Sequence, residues 1–156
     1  MSNESISNLV CEVVTPERTL YSSDVAQVTL PTVHGEITVL PHHIALVGLL
    51  APGELRIVPK QGSDVYMAVS GGFIEVAKNR IHVLADTAER SDEIDEQRAE
   101  AARQRAQQLM SEVQHDEEAR ATALGQLEKE LARLRVVRKH RGSGKTDVVH
   151  EPVLKE

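Results

Sequence analysis

The stretch RGSGKT, residues 141–146, has the Gly-Lys-Thr ending of a phosphate-binding loop. A P-loop requires G-x-x-x-x-G-K-[ST], because backbone N–H groups along the whole loop surround the phosphates while lysine and hydroxyl serve charge and metal. Lys139 stands where the first glycine is required, and the preceding residues are basic rather than a buried apolar strand. We therefore interpret the stretch as a Gly/Ser break opening a flexible polar tail, residues 142–156, and we place a small P-loop phosphotransferase among the alternatives.

Two adjacent histidines, His42 and His43, raise the question of a metal site, since imidazole is a common zinc ligand. Neighbouring residues on a strand or turn usually point apart, and no cysteine or acid cluster joins this pair in the sequence. Ser70 lies in SGGF rather than in G-x-S-x-G, and Cys11 has no histidine at a motif spacing. We predict no metal site and a chain that is not an enzyme.

Charge is distributed unevenly along the chain. The net charge of −6 argues against a general nucleic-acid binder, because contact with phosphates needs a basic surface. Residues 129–141, however, hold one acid, Glu130, and six cations: Lys129, Arg133, Arg135, Arg138, Lys139 and Arg141. This segment suits an acidic partner, and a solvated helix end favoured by the C-terminal dipole explains the same charges.

The elements that must position these residues differ between the two halves of the chain. From Leu9 to Ala85, short runs rich in Val, Ile and Thr recur every ~8–12 residues between turn signals. The pattern predicts strands at 9–14, 25–30, 36–40, 45–50, 54–58, 65–69, 73–77 and 80–85. Since no helical stretch separates these runs, we expect antiparallel pairing with short links.

The hydrophobic period changes after Asp86, where prolines disappear as far as residue 141. Apolar residues three and four apart predict two amphipathic helices joined at 114–118, with seams at Ala99, Ala102, Ala106, Leu109 and Val113, then Leu124, Leu127, Leu131, Leu134 and Val137. The predicted fold class is α+β, an antiparallel β-sandwich at 1–88 followed by an antiparallel two-helix hairpin at 89–141. Because the alanine seam is thin, we expect marginal docking and exchange between folded-back and extended states.

The number of cysteines and the hydropathy of the chain indicate the kind of cellular compartment in which the protein works. The single cysteine, Cys11, permits no internal disulfide and fits a reducing compartment. No apolar run approaches the ~20 residues that cross a bilayer, and the polar start is no signal peptide. We therefore expect a soluble or peripheral protein.

Four motifs together carry a family resemblance. They are GEI leading to VLPHH at 35–43, LAPGEL at 50–55, SGGFIEV at 70–76 and VLADTA at 83–88. With the β-then-hairpin order, they make the chain resemble the epsilon subunit of bacterial F-type ATP synthases, over roughly residues 8–140. Thr38 and His42 depart from the resemblance, since each stands where the family often has glycine.

The resemblance implies a non-catalytic central-stalk role at the cytoplasmic face of the bacterial plasma membrane. The β domain would bind the gamma subunit and the c subunits of the membrane ring, so that proton-driven rotation reaches the alpha and beta subunits of the head. The part meeting ring and gamma would be the loop residues His34, Gly35, Glu36, His42 and His43.

The hairpin is the regulatory part in this family. It can extend along gamma and place its second helix between catalytic subunits, which restrains ATP hydrolysis. We assign that contact to Arg133, Arg135, Arg138 and Lys139, since several cations facing an acidic segment give complementarity that one cation does not.

The stretch IDEQRA, residues 94–99, matches an I-D-x-x-R-A motif that binds ATP in some family members. The resemblance implies a regulatory ATP held by Asp95, Arg98 and Ala99, with Glu89 and Arg105 as additions, and no other cofactor. An N-capping aspartate and an Asp95–Arg98 ion pair explain the same residues without a ligand. A β-sandwich and coiled-coil adaptor unrelated to ATP synthase is the other alternative for the whole chain.

Overall fold

The computed structural model describes residues 8–141, which form a domain of nine strands followed by two helices. The strands are β1 Leu9–Val14, β2 Thr19–Thr32, β3 Gly35–Val39, β4 Leu46–Leu50, β5 Gly53–Pro59, β6 Val65–Val69, β7 Gly72–Ala77, β8 Arg80–Ala85 and β9 Ala88–Arg90. The helices are α1 Glu96–Glu112 and α2 Glu117–Lys139. The predicted α+β class, with strands first and a helical hairpin second, is confirmed.

All eight predicted strands are present, and seven of them begin and end within one residue of their predicted bounds. The eighth is longer than predicted, because β2 already begins at Thr19 and pairs with β1 through its first half. That half contains Ser22, Ser23 and Asp24. These residue types favour turns, so the sequence pattern does not indicate a strand there. Strand β9, which pairs with β6, lies across the predicted domain boundary at residue 88. The predicted tail lies outside the described residues, as does RGSGKT apart from Arg141.

The strands are hydrogen-bonded in the order β1-β8-β7-β4-β2-β5-β6-β9, with β3 beside β2 and an additional β1–β2 pairing. The pairing is antiparallel except between β1 and β8, which run parallel. The expectation of purely antiparallel pairing was therefore wrong for this pair. It rested on links between consecutive strands, whereas β1 and β8 are joined through the whole intervening domain, so no local crossover is needed.

One core fills the β domain. Alternate residues of the strands point into it, as in β1, where Leu9, Cys11 and Val13 are buried and the residues between them are half-buried. Its largest fully buried side chains include Leu30, Leu55, Ile57, Met67, Ile74 and Ile81. Period-two burial of this kind is what the Val- and Ile-rich runs predict.

The hairpin lies back against the β domain. Helix α2 packs against α1 and against strands β5 and β6, and near its C-terminal end Val136 packs with Ala68 of β6 while Lys139 bonds to Glu54 of β5. The predicted leucine seam is only partly used, because Leu124 and Leu131 are 44% and 41% exposed while Ala123, Ala132 and Val136 are buried. Helix α2 packs against both α1 and the sheet, so both determine which of its residues are buried. The small side chains of Ala123 and Ala132 allow the helix to approach these neighbours closely.

Candidate functional site: the clasp and the outer row

The IDEQRA motif forms the start of α1. Asp95 is the N-cap residue, and its Oδ1 accepts a hydrogen bond of 3.0 Å from the backbone N–H of Arg98. Ala99 is fully buried beneath the cap, whereas the Arg98 side chain is exposed. An aspartate at this position stabilises a helix by about 1 kcal/mol. Helix capping therefore accounts for the Asp95 carboxylate in this state.

Of the predicted nucleotide-binding residues, Glu89 lines a cleft apart from the other four. Glu89, on β9, lines a cleft of about 320 Å³ between the sheet and α2, together with Arg18, Lys129 and Arg133. Asp95, Arg98, Ala99 and Arg105 are not among the residues that line this cleft. The sequence had assigned Lys129 only to the basic segment and Arg133 to the inhibitory set, so the structure adds both to the surroundings of Glu89.

Arg133 holds α2 against the sheet domain. Its Nε donates to Glu89 Oε2 at 2.7 Å and its Nη2 to Glu89 Oε1 at 3.2 Å, while Nη1 donates to Glu130 Oε2 at 2.8 Å. The side chains of Arg133 and Glu130 are only 18% and 11% exposed. Burial alone would lower the pKa of the guanidinium, but the hydrogen bonds to both carboxylates outweigh it and raise that pKa. The contact between Arg133 and Glu89 is a bidentate salt bridge, which is geometrically more specific than a single hydrogen bond.

A second link lies at the C-terminal end of α2. Glu54, on β5, accepts a hydrogen bond of 2.9 Å from Lys139 Nζ, and its Oε2 lies 3.0 Å from His140 Nε2. The His140 ring stacks on Tyr66 of β6, with centroids 3.5 Å apart and 16° between the planes. Burial would raise the pKa of Glu54, but its hydrogen bonds from Lys139 and His140 prevail and lower it. Glu54 therefore stays ionised at neutral pH.

We call these six residues the clasp: Glu54, Tyr66, Glu89, Arg133, Lys139 and His140. Between its two links, Ala68, Ile94 and Val136 form a small buried apolar cluster. The apolar contact is thin, so directed polar contacts are an important part of what holds the hairpin to the sheet.

Three of the four predicted partner-binding cations are engaged within the chain. Arg133 and Lys139 belong to the clasp, and Arg138 donates to Glu96 at 2.9 Å and to Glu100 at 3.1 Å on α1. Arg135 is exposed. In this conformation Arg133, Arg138 and Lys139 thus face acids of the same chain.

The predicted ring-contact residues fall into two groups, at opposite ends of β3. His34 lies in the turn between β2 and β3, and Gly35, with a φ of 114°, and Glu36 are the first two residues of β3. His42 and His43 lie in the loop between β3 and β4, which the structure places beyond the other end of β3. Within residues 8–141, no three His, Cys, Asp or Glu side chains cluster so as to hold a metal ion.

An apolar row on the outer face of the sheet was not foreseen from the sequence. By strand register, Val14, Leu84, Phe73 and Leu49 lie side by side across β1, β8, β7 and β4. Leu84, Phe73 and Leu49 are 49%, 54% and 49% exposed. We call these four residues the outer row. The signal was available, because each of the four is next to a buried residue of its own strand (Val13, Val83, Ile74 and Leu50) and should therefore face outward.

Comparison with known proteins covers nearly all of the described chain. Residues 8–91 match the family model for the β-sandwich domain of the ATP synthase delta/epsilon chain, and residues 92–138 match the model for its long α-helix domain. Neither described helix is long and apolar enough to cross a bilayer.

Curated relatives and a solved structure agree with these matches. The ATP synthase epsilon chain of Chloroflexus aggregans is 47% identical over 132 residues, covering 83% of this chain and 92% of the relative. That of Syntrophomonas wolfei is 42% identical over 133 residues, covering 85% and 96%. A chain of the Euglena gracilis mitochondrial ATP synthase, solved as OSCP/F1/c-ring, shares the fold with a TM-score of 0.73, at 24% identity and over 88% and 86% of the two chains.

Proposed function

Because this chain belongs to the delta/epsilon chain family of ATP synthases, as a non-catalytic central-stalk subunit, we propose that it couples a rotating proton-driven membrane ring to the catalytic head. In the same proposal its hairpin restrains ATP hydrolysis. The gamma subunit, the ring c subunits and the head alpha and beta subunits are the proposed partners. The proposed location is the cytoplasmic face of a bacterial plasma membrane, where the chain is held through the complex.

The observation that carries the coupling role is the outer row. A subunit that transmits torque must be fixed to its neighbour, and an apolar row four strands wide, with three exposed members, offers a firm contact on a rigid sheet. We assign this face to the gamma subunit. The loops bearing His34 and His43 remain the proposed contacts with ring and gamma.

Substitution in the outer row tests this assignment. Leu84→Asp is expected to weaken binding to the gamma subunit of the same synthase at least about tenfold, because it removes leucine burial of about 2 kcal/mol and adds a charge that must be desolvated. The measurement is titration of purified gamma against the purified chain, with circular dichroism to verify folding.

Leu124→Asp is the matched control for this experiment. Leu124 is also a leucine at the surface, 44% exposed against 49% for Leu84, but it lies on α2. Its substitution should change gamma affinity less than about twofold. Equal effects of the two substitutions, or no effect of Leu84→Asp, would remove the outer row as the gamma contact.

The restraining role is supported by the cations of α2. Arg133, Arg138 and Lys139 make close contacts with carboxylates in the folded-back state, so acidic groups suit them. If the hairpin extends, these cations leave their acids and become available to acids of the catalytic head. Arg135 would join them without first breaking a described clasp contact.

We further propose ATP as a ligand that stabilises the folded-back hairpin. Support comes from the cleft that Glu89 shares with Lys129 and Arg133, and from the position of Asp95 and Arg98 at the start of α1. ATP bound between the sheet and the hairpin would favour the state in which both contribute to its site.

Calorimetric titration of ATP into the isolated chain tests this proposal. Arg98→Ala is expected to weaken binding about tenfold or more, because a charge-assisted hydrogen bond to phosphate is lost. Lys145→Ala, in GSGKT, should leave binding unchanged. Absence of binding to the unmodified chain would end the ATP proposal, and loss in Lys145→Ala alone would transfer the site to the C-terminal segment.

A further inference from the structure

The loop between β3 and β4, residues 40–45, is held in an unusual backbone conformation. We call it the contact loop. Its apolar residues Leu40 and Ile44 are 50% and 79% exposed, so it presents side chains that a partner would bury. Between them His42 has a φ of 65°, in the left-handed region. A residue with a Cβ atom avoids this region, so the loop needs an additional contact to keep its shape.

That contact comes from a different hairpin. The backbone N–H of His42 donates to the side-chain Oδ1 of Asn79 at 2.6 Å. A second bond within the loop runs from the N–H of His43 to the carbonyl of Leu40, at 3.1 Å. The bond to Asn79 thus links His42 to the rest of the β domain.

Asn79 is itself firmly anchored. It and Lys78 form the two-residue turn between β7 and β8, with φ values of 59° and 50°, which suits a tight turn with two left-handed residues. Its backbone carbonyl accepts a hydrogen bond of 2.9 Å from the N–H of Val10 in β1. Asn79 is only 9% exposed. Its backbone is therefore held by both the turn and β1, which fixes the position from which Oδ1 accepts the bond from the loop.

We propose that Asn79 is a positioning residue that holds His42 left-handed and thereby sets the shape in which the contact loop presents Leu40 and Ile44. The identity of the partner, the membrane ring or gamma, rests on the proposed function. The effect on the loop does not, because every contact described lies within this chain.

Asn79→Gly separates the side-chain contact from the turn. Glycine adopts the φ of Asn79 without strain, so the turn is retained while Oδ1 is removed. The His42 amide should then exchange with solvent about ten times faster, as measured by NMR on the full chain. Asn79→Asp keeps an acceptor and should change the exchange rate less than about threefold. Lys78→Gly, a glycine in the same turn, controls for added flexibility.

Rescue by His42→Gly tests the mechanism. Glycine at position 42 populates the left-handed region without help, so it no longer needs Asn79 for its conformation. Asn79→Gly alone should weaken binding to gamma and to the ring about tenfold, and the double variant His42→Gly/Asn79→Gly should recover most of this loss. A loss that persists in the double variant would show that Asn79 acts elsewhere and overturn the proposal.

The two readouts distinguish the failures. Unchanged His42 exchange in Asn79→Gly would overturn the positioning role, whatever happens to binding. Faster exchange with unchanged affinity for both gamma and ring would confirm the hold on the loop but remove the contact loop from the proposed interface. Faster exchange in Asn79→Gly, with binding recovered in the double variant, supports both the positioning role of Asn79 and the place of the contact loop in the interface.

Discussion

Gly72→Ala is expected to destabilise the β domain by about 4 kcal/mol or more, which is a large part of the ~5–15 kcal/mol that typically separates folded from unfolded domains. A Cβ atom at position 72 would lie 2.0 Å from the carbonyl oxygen of Leu84 and 2.9 Å from the Cα of Ala85. Both are backbone atoms of β8, the strand paired with β7, so no side chain can move aside. Relief requires separating two central strands.

The backbone of Gly72 adds to this cost. Its φ of 118° is one that residues with side chains rarely adopt. Gly62→Ala isolates this component, since Gly62 has a φ of 97° but, beyond its chain neighbours, no heavy atom within 4 Å of the point that a Cβ atom would occupy. Its substitution should cost only about 1–2 kcal/mol.

Urea unfolding followed by circular dichroism provides the measurement. Gly72→Ala should lower the transition midpoint far more than Gly62→Ala, with unchanged slope if the folded state is retained. Similar losses in the two variants would show that backbone conformation, and not the close approach of β7 to β8, explains the need for glycine.

Gly72 also shows which features of the fold a local sequence motif can predict and which it cannot. The SGGF motif indicates a turn before a strand, and this much is correct, because β7 begins at Gly72. The motif does not reveal that the carbonyl of Leu84 lies against the glycine, since strand pairing across the sheet determines that contact. Local signals of turn and period therefore predict the elements, while close approaches depend on their pairing.

In the candidate site, too, local features could be predicted from the sequence and long-range contacts could not. Asp95 could be predicted as a cap, because an aspartate before an amphipathic run has a local role. The partners of Arg133 and Lys139 could not, since Glu89 and Glu54 are 44 and 85 residues away along the chain. A basic segment in the sequence shows which groups need acids but not which acids the fold supplies. The outer row lies between these cases, as its orientation follows from period two but its alignment follows from register.

Release of the clasp is the second large effect. Glu54→Gln/Glu89→Gln removes the carboxylates that face Lys139, His140 and Arg133, while leaving every cation of α2 in place. We expect the two changes together to weaken hairpin docking by about 2 kcal/mol, a shift of about 30-fold toward the extended state. In the assembled synthase, the proposed function then predicts slower ATP hydrolysis, because the freed cations reach the catalytic head more often.

Hairpin position can be measured by energy transfer between dyes on Gln61→Cys and Gln126→Cys, two exposed positions on the sheet domain and α2. Cys11 should not compete for the dyes, because burial, helped by Glu12, raises the pKa of its thiol to about 12. The mean distance should increase in the clasp variant. Glu112→Gln/Glu128→Gln removes two exposed acids of the hairpin and serves as the charge control, with no expected change.

The two measurements separate the structural claim from the regulatory one. If the dye distance is the same in the clasp variant and the control, the clasp does not hold the hairpin, and the apolar cluster of Ala68, Ile94 and Val136 suffices. If the distance increases while hydrolysis stays unchanged, the clasp holds the hairpin but the extended hairpin does not restrain the enzyme. Increased distance with slower hydrolysis is expected, because the same arginine and lysine side chains would then exchange acids of this chain for acids of a partner.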